Sequence, residues 1–109
     1  MAEKVEPVPH GYQSVTPYLI VNDGVAALAC YTAALGAAET MRIASPDGKI
    51  GHAEFRVAGS TVMLAEECPE MDCYSPLKYD GTPVSLALYV PNVDELVAQA
   101  VKAGAELVR

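Results

Sequence analysis

The chain has 109 residues, of which 51% are hydrophobic, and its formal net charge is −7. That length suits one domain with a modest core, and no apolar run is long enough to span a bilayer. The seven Lys and Arg residues are scattered, which argues against a nucleic-acid partner, because nucleic-acid binding depends on clustered cations. Residues 1–13 contain no apolar stretch of the kind found in signal peptides. We therefore interpret them as a mobile tail and expect a cytoplasmic protein.

The first predicted elements are a strand and the helix that follows it. Residues 14–21 alternate between two faces, as a strand does. Residues 22–24 break the strand and supply a helix cap. A helix is predicted over residues 25–35, and Gly36 is suited to end it. The apolar stripe of that helix consists of Leu28, Tyr31 and Leu35.

Three further strands are predicted over residues 39–44, 50–57 and 60–65. A turn at residues 45–48 joins the first two, and residues 58–59 make a tight hairpin between the last two. The central strand alternates strictly. Its apolar face contains Ala53, Phe55 and Val57, and its polar face contains His52, Glu54 and Arg56. When the apolar face packs on a helix, the polar face is turned to the other side of the sheet.

Residues 67–83 form a long segment without periodicity that is rich in acidic side chains and proline. Segments of this kind are lids, linkers or disordered spans. We interpret it as a solvated loop whose charge favours solubility, with a lid over a cleft as the alternative. It contains Cys68 and Cys73, while Cys30 lies in the first predicted helix. Their spacing matches neither a zinc site nor a disulfide framework, so we assign all three structural or incidental roles.

The strand–helix pattern occurs a second time. Residues 85–90 alternate as a strand, Asn92 is a predicted helix cap, and an apolar stripe predicts a helix over residues 93–101. Residues 106–109 begin another strand. The second unit is shorter than the first by roughly 25–30 residues, which predicts an incomplete module. Because an incomplete sheet leaves an open edge, we predict a homodimer whose interface covers residues 85–90 and 106–109.

Five stretches of the sequence carry a resemblance to a known family. They are residues 14–21 (SVTPYLIV), 29–37 (ACYTAALGA), 51–60 (GHAEFRVAGS), 62–67 (VMLAEE) and 84–90 (VSLALYV). In their order and spacing they resemble the glyoxalase/bleomycin-resistance/dioxygenase superfamily, also called the vicinal oxygen chelate superfamily, and in particular its PhnB-like branch. The resemblance implies an α+β fold of paired βαβββ modules around a shared cleft, with the second module truncated. It divides the chain into a tail (1–13), a first module (14–66), an acidic inter-module loop (67–83) and an incomplete second module (84–109).

The resemblance also locates the metal positions of the superfamily. In its metal-dependent members, four cleft-facing positions hold a divalent metal ion. Three of them correspond to Thr16, Met63 and Ser85 in this sequence, and the fourth lies beyond Arg109. A hydroxyl is a poor ligand for Zn²⁺, Ni²⁺ or Fe²⁺, and a thioether binds only soft ions. We therefore predict no metal and no other cofactor, and we expect these side chains to line a ligand cleft instead.

The polar face of the central strand carries the candidate chemistry. His52 and Glu54 are two residues apart and share that face. A His–carboxylate pair is suited to general-base catalysis, so these two are the candidate catalytic residues; the alternative is an ordinary polar face that pairs with Arg56. Tyr18, on the same face as Thr16, suits stacking on a flat ligand or donating its hydroxyl to one, and the alternative is that it fills the mouth of the cleft. Together with Met63 and Ser85, these are the predicted ligand-binding residues.

The predicted function is the binding of a small organic molecule in the cleft. One alternative is a metal-dependent lyase or dioxygenase of the glyoxalase type that uses His52 and Glu54. The other is a non-catalytic dimeric remnant of such a protein. A fold alone does not decide among them, because the functions of a fold depend on its site.

Overall fold

The computed structural model describes residues 5–108, which form a mixed α+β fold with one four-stranded sheet. In chain order the elements are β1 (Tyr18–Val21), α1 (Gly24–Leu35), β2 (Ala38–Ala44), β3 (Ile50–Val57), β4 (Ser60–Glu66) and α2 (Val93–Lys102), with short 3₁₀ turns at Pro69–Met71 and Pro76–Tyr79 between β4 and α2. The strand order is β1-β4-β3-β2. Strands β1 and β4 are parallel, and the other neighbours are antiparallel. The predicted α+β class and the βαβββ order of the first module are thus confirmed.

Capping residues and one close contact define helix α1. The side chain of Asp23 accepts a hydrogen bond from the Ala26 N–H at 3.0 Å. Gly36, at φ 68°, ends the helix in the left-handed conformation that favours glycine. Gly24 packs so closely on β3 that an added Cβ would lie 2.9 Å from the Cβ of Ile50. The predicted first helix is confirmed, and it begins one residue earlier than expected.

The core lies between α1 and one face of the sheet. It consists of Leu28, Ala37, Ile50, Ala53, Phe55, Val57, Val62 and Leu64. The rings of Tyr31 and Phe55 have centroids 5.4 Å apart across this layer. Helix α2 lies against α1, where the Gln99 Nε2 donates a hydrogen bond to the Ala33 carbonyl at 3.0 Å. The predicted apolar face of β3 is therefore confirmed, and the opposite face of the sheet carries the polar side chains.

The strands predicted over residues 39–44, 50–57 and 60–65 are confirmed to within one residue at each end. The first strand is shorter than predicted, because β1 begins at Tyr18 and not at residue 14. Pro17 has no N–H to donate to a strand ladder, although its carbonyl accepts from the Met63 N–H at 2.9 Å. Of the predicted tail 1–13, residues 1–4 lie outside the described part of the chain.

The predicted strand over residues 85–90 is wrong, because residues 84–90 have no regular secondary structure. Leu88 packs against the core instead, and its neighbours line a cavity on the helix side of the sheet. Alternation in a sequence indicates a half-buried segment, but a strand also needs a neighbour with which to exchange backbone hydrogen bonds. Residues 105–108 are likewise irregular, and Arg109 lies outside the described residues. Helix α2 is confirmed, with Asn92 accepting from the Glu95 N–H at 3.1 Å.

Within residues 5–108, neither helix has the length and apolar character needed to cross a bilayer.

Candidate functional site

A row of side chains crosses the face of the sheet that is turned away from α1. Met63 on β4 lies opposite Tyr18 on β1 and opposite Glu54 on β3. His52 lies two residues before Glu54 and therefore points to the same face. The sheet register thus brings together four of the six predicted ligand-binding residues, because Met63 pairs with Tyr18 on one side and with Glu54 on the other.

Hydrogen bonds join these side chains into a continuous chain, which we call the polar row: Tyr18, His52, Glu54 and Tyr12. The Tyr18 hydroxyl lies 2.7 Å from the Nδ1 of His52, and the Nε2 of His52 lies 2.8 Å from the Oε2 of Glu54. The Tyr12 hydroxyl donates to the Oε1 of Glu54. An ionised carboxylate only accepts, so in neutral His52 the proton is assigned to Nε2. Nδ1 is then the acceptor of the Tyr18 hydroxyl proton.

The charge of Glu54 dominates the electrostatics of the polar row. Hydrogen bonds from His52 and then from Tyr12 hold the pKa of Glu54 below its ordinary value of 4.5. The same carboxylate raises the pKa of Tyr12 above 10.0, because the Tyr12 hydroxyl donates to it. Burial, followed by the charge of Glu54, raises the pKa of Tyr18. Near neutral pH, Glu54 is an anion that orients His52, and both tyrosines are neutral hydrogen-bond donors.

The segment just before β1 completes the polar row, and sequence reasoning missed it. Besides the contact of Tyr12 with Glu54, the Gly11 carbonyl accepts from the Nη1 of Arg56 at 2.8 Å and from the Thr61 hydroxyl at 2.7 Å. The Nε2 of Gln13 donates to the Thr61 carbonyl at 2.6 Å. Arg56 therefore binds this segment and does not pair with Glu54. A tyrosine in an irregular, proline-containing segment has no periodicity that could have predicted the contact.

Two open cavities flank the polar row. The larger, of about 730 Å³, lies beside Tyr18 and is bounded by β1, the start of β3, the end of β4 and the loop after β4. Its wall contains Tyr18, Ile20, Ile43, Ala65, Glu66, Glu67, Cys68, Met71 and Cys73 among others. The other, of about 670 Å³, is lined by Tyr12, Thr16 and Met63 together with residues of the N-terminal segment. The hydroxyl of Thr16 donates to the Gln13 carbonyl at 3.0 Å, so Thr16 is bonded to the N-terminal segment that lines this cavity.

Two carboxylates at the junction of β4 and the acidic loop accept hydrogen bonds from backbone N–H groups. The Oε2 of Glu66 accepts from the Ile50 N–H at 2.8 Å, and the Oε2 of Glu67 accepts from the Ser75 N–H at 2.8 Å. That backbone donor holds the pKa of Glu67 below its ordinary value. These two charges therefore shape the wall of the larger cavity, in addition to giving it a negative potential.

The positions that correspond to the metal ligands of related proteins do not form a metal site here. Ser85 is exposed in the irregular segment 84–90 and does not join Thr16 and Met63. His52 and Glu54 bind each other, and among residues 5–108 no group of three or more His, Cys, Asp or Glu side chains is arranged to hold a metal ion. A hydroxyl, a thioether and one His–Glu pair do not make the donor set that Zn²⁺ or Ni²⁺ requires. These side chains therefore do not fit a divalent metal ion of the kind that metal-dependent relatives bind.

A family model and this fold together identify the class of protein. The model of the Glyoxalase/Bleomycin resistance protein/Dioxygenase superfamily matches residues 11–109. The chain therefore belongs to the glyoxalase/bleomycin-resistance/dioxygenase superfamily.

Related sequences come from mycobacteria. An uncharacterized protein of Mycobacterium bovis is 39% identical over 111 residues, which cover 99% of this chain and 69% of that protein. An uncharacterized protein of Mycobacterium tuberculosis is also 39% identical, over 99% of this chain and 62% of its own length. The chain thus spans between 62% and 69% of the length of these curated relatives.

Two crystal structures resemble the fold. A gene product from Arabidopsis thaliana superimposes with a TM-score of 0.70 at 26% identity, covering 90% of this chain and 78% of that one. TioX from Micromonospora sp. ML1 superimposes with a TM-score of 0.62 at 23% identity, covering 89% of this chain and 75% of that one. The likeness to TioX supports the fold alone.

Proposed function

We propose that this chain binds a small organic molecule on the sheet face that carries the polar row, without a metal ion. The observation that carries the proposal is the hydrogen-bonded row Tyr18–His52–Glu54–Tyr12, which lies between two open cavities. Binding sites of this kind combine an apolar wall with a few oriented polar groups. Here the wall comes from side chains such as Ile20, and the polar groups come from the row.

The chemistry of the row defines the ligand class. Tyr18 is about half exposed, at 49%, so its ring offers a flat surface and its hydroxyl a polar tip. An acceptor group of the ligand can replace the Nδ1 of His52 and accept the hydrogen bond of the Tyr18 hydroxyl. A ligand donor binds Nδ1 directly. Among the described residues that line the larger cavity, Glu66, Glu67 and Glu70 outnumber the one cation, Lys49. The resulting negative potential favours neutral or cationic aromatic molecules over anionic ones.

A second candidate function is proton abstraction from the bound molecule. Glu54 holds the imidazole of His52 through Nε2, which leaves Nδ1 as the basic nitrogen toward Tyr18. A carboxylate that orients a histidine in this way stabilises the imidazolium formed when the histidine accepts a proton. This arrangement supports a general base of the kind a lyase needs, and it uses no metal ion.

The test is a two-dimensional NMR titration of the ¹⁵N-labelled chain with a library of aromatic fragments that contains neutral, cationic and anionic members. We expect neutral and cationic fragments to shift the amide signals of Tyr18, His52 and Glu54. Tyr18→Phe and His52→Gln should weaken that binding. The matched control is Tyr31→Phe, on the helix side of the sheet, which should leave it unchanged.

Binding that shifts only residues on the helix side, such as Leu19, Leu86 and Leu88, would place the site in the apolar cavity there, of about 500 Å³, and overturn the proposal. The absence of binding by every fragment class would overturn it as well.

We also propose a cytoplasmic location and membership of the PhnB-like branch of the superfamily. In addition, we propose that the chain forms a homodimer. The exposed apolar side chains near the C-terminal end support association, among them Leu86, Tyr89 (92% exposed), Leu107 and Val108. Light scattering after size-exclusion chromatography should give the mass of a dimer, and Tyr89→Glu should shift it toward a monomer. Tyr79→Glu, at an exposed tyrosine outside the predicted interface, is the control. A wild-type monomer would refute the dimer.

A further inference from the structure

Cys68 and Cys73 face each other across a short antiparallel bridge in the loop after β4. The Cys68 N–H donates to the Cys73 carbonyl at 2.9 Å, and the Cys73 N–H donates to the Cys68 carbonyl at 3.1 Å. Residues that exchange both backbone bonds have Cα atoms about 5.5 Å apart, with side chains on the same side of the ladder. The Cα atoms of disulfides are most often about 5.5–6 Å apart. The backbone pairing of the two free cysteines therefore matches the Cα spacing of a disulfide.

The turn between the two cysteines maintains this spacing. The Met71 N–H donates to the Cys68 carbonyl at 3.0 Å, and the Asp72 N–H donates to the Pro69 carbonyl at 3.0 Å. Asp72 takes the left-handed conformation, with φ 56°, that closes the turn. Glu67 fixes the loop on the far side of Cys73 through the Ser75 N–H. Because the native fold supplies most of the loop closure, little conformational entropy remains to be lost when the sulfurs join.

Both thiols are accessible to a reagent. Cys68 and Cys73 are partly exposed, and both line the cavity of about 730 Å³ that also contains Tyr18. The thiol of Cys68 donates to the Oε2 of Glu70 at 3.3 Å, so rotation of this one side chain frees its sulfur. The third cysteine, Cys30, lies on α1 and is exposed.

We propose that Cys68 and Cys73 are a redox modification site that closes reversibly into an intramolecular disulfide. The oxidant is a low-molecular-weight disulfide of the glutathione class. One protein thiolate attacks this disulfide, which forms a mixed disulfide and releases one thiol. The second protein thiolate then attacks the protein sulfur of the mixed disulfide, which forms the Cys68–Cys73 bond and releases a second thiol. Two protein thiols are oxidised, the small disulfide is reduced to two thiols, and these carry the two protons.

The disulfide joins two residues that line the larger cavity. In the reduced form the bridge is held by two backbone hydrogen bonds, whereas in the oxidised form a covalent bond fixes the same turn beside Tyr18. Disulfide formation goes beyond the proposed function and is tested without a ligand. Its failure would therefore leave the proposed ligand binding untouched, and the reverse also holds.

The test uses the full chain with Cys30→Ser, so that only the two loop thiols remain. The protein is equilibrated in glutathione buffers of graded redox ratio, once folded and once unfolded in urea, then quenched with acid, alkylated and weighed by mass spectrometry. We expect both thiols to disappear together, without a glutathione adduct. The equilibrium constant for closure should be larger in the folded protein than in urea, and excess dithiothreitol should restore both thiols. Cys68→Ser and Cys73→Ser should each give a single glutathione adduct.

Closure that is equally or less favourable in the folded protein than in urea would overturn the proposal, because the fold would then contribute nothing to it. So would a folded protein that carries two glutathione adducts, or that keeps both thiols at redox ratios where the unfolded chain forms the disulfide. Circular dichroism of each variant shows that these comparisons are made on folded protein.

Discussion

Replacement of Glu54 by glutamine tests the structural role of the polar row. The Glu54 side chain is only 8% exposed and accepts hydrogen bonds from His52 and Tyr12. Glutamine keeps the shape, but its amide has one oxygen and one NH₂ group. The variant therefore replaces two hydrogen bonds to a charged acceptor with weaker bonds to a neutral one. Hydrogen bonds to charged groups contribute about 1.5–3 kcal/mol, so Glu54→Gln should lower the free energy of unfolding by up to about that amount.

Glu39 provides a matched control on the edge strand β2. Its carboxylate also accepts two hydrogen bonds, from Arg42, and the ion pair has an N–O distance of 2.7 Å. The side chains of Arg42 and Glu39 are 38% and 34% exposed, so water replaces the partner at little cost. Exposed ion pairs contribute about 0–1 kcal/mol. Glu39→Gln should therefore change stability much less than Glu54→Gln.

The assay is urea unfolding of the wild type and both variants at pH 7, followed by the same measurement at decreasing pH. The folded pKa of Glu54 lies below its unfolded value, so its stabilisation is present above about pH 4.5 and is lost as the pH falls through the folded pKa. The difference between wild type and Glu54→Gln should therefore shrink in acid. Equal losses for the two variants at pH 7, or a difference for Glu54→Gln that does not change in acid, would refute the reasoning.

Three further predictions concern the fold, the N-terminal segment and the metal. Gly24→Ala should lower the free energy of unfolding in urea by about 1–2 kcal/mol although alanine favours helices, because its Cβ would lie 2.9 Å from that of Ile50. The control is Gly51→Ala, whose Cβ would meet nothing nearer than 3.8 Å. Equal effects of the two variants would contradict the packing argument. Because the folded pKa of Tyr12 is raised above 10.0, the stability that Tyr12 provides is complete below pH 10 and is lost as the pH rises through the folded pKa. Tyr12→Phe should therefore reduce the loss of stability at alkaline pH. An unchanged dependence of stability on pH would show that Tyr12 does not bind Glu54. After dialysis against Ni²⁺, Zn²⁺, Fe²⁺ or Mn²⁺ in turn, elemental mass spectrometry should find no stoichiometric metal in the wild type; retained metal that His52→Ala removes would restore the lyase or dioxygenase alternative.

Much of the fold follows from local sequence patterns. The alternation in residues 50–57 assigned Ala53 and Phe55 to the core and His52 and Glu54 to the opposite face, because successive side chains of a strand point to opposite sides whatever the strand packs against. The cap at Asn92 and the αL glycine at position 36 are equally local, since each satisfies backbone groups within one turn. For that reason the helices and the three strands after α1 could be predicted to within one or two residues at each end.

The contacts that define the candidate site are not local. Tyr12 meets Glu54 across 42 residues of sequence, and nothing in its own neighbourhood distinguishes it. Residues 85–90 have the pattern of a strand, but strand formation depends on a neighbour that the alternation does not encode. The sequence spacing of Cys68 and Cys73 predicts no disulfide. Only the turn at Asp72 places the two residues opposite each other. Local pattern determines which way a side chain points, whereas tertiary packing alone decides what it meets.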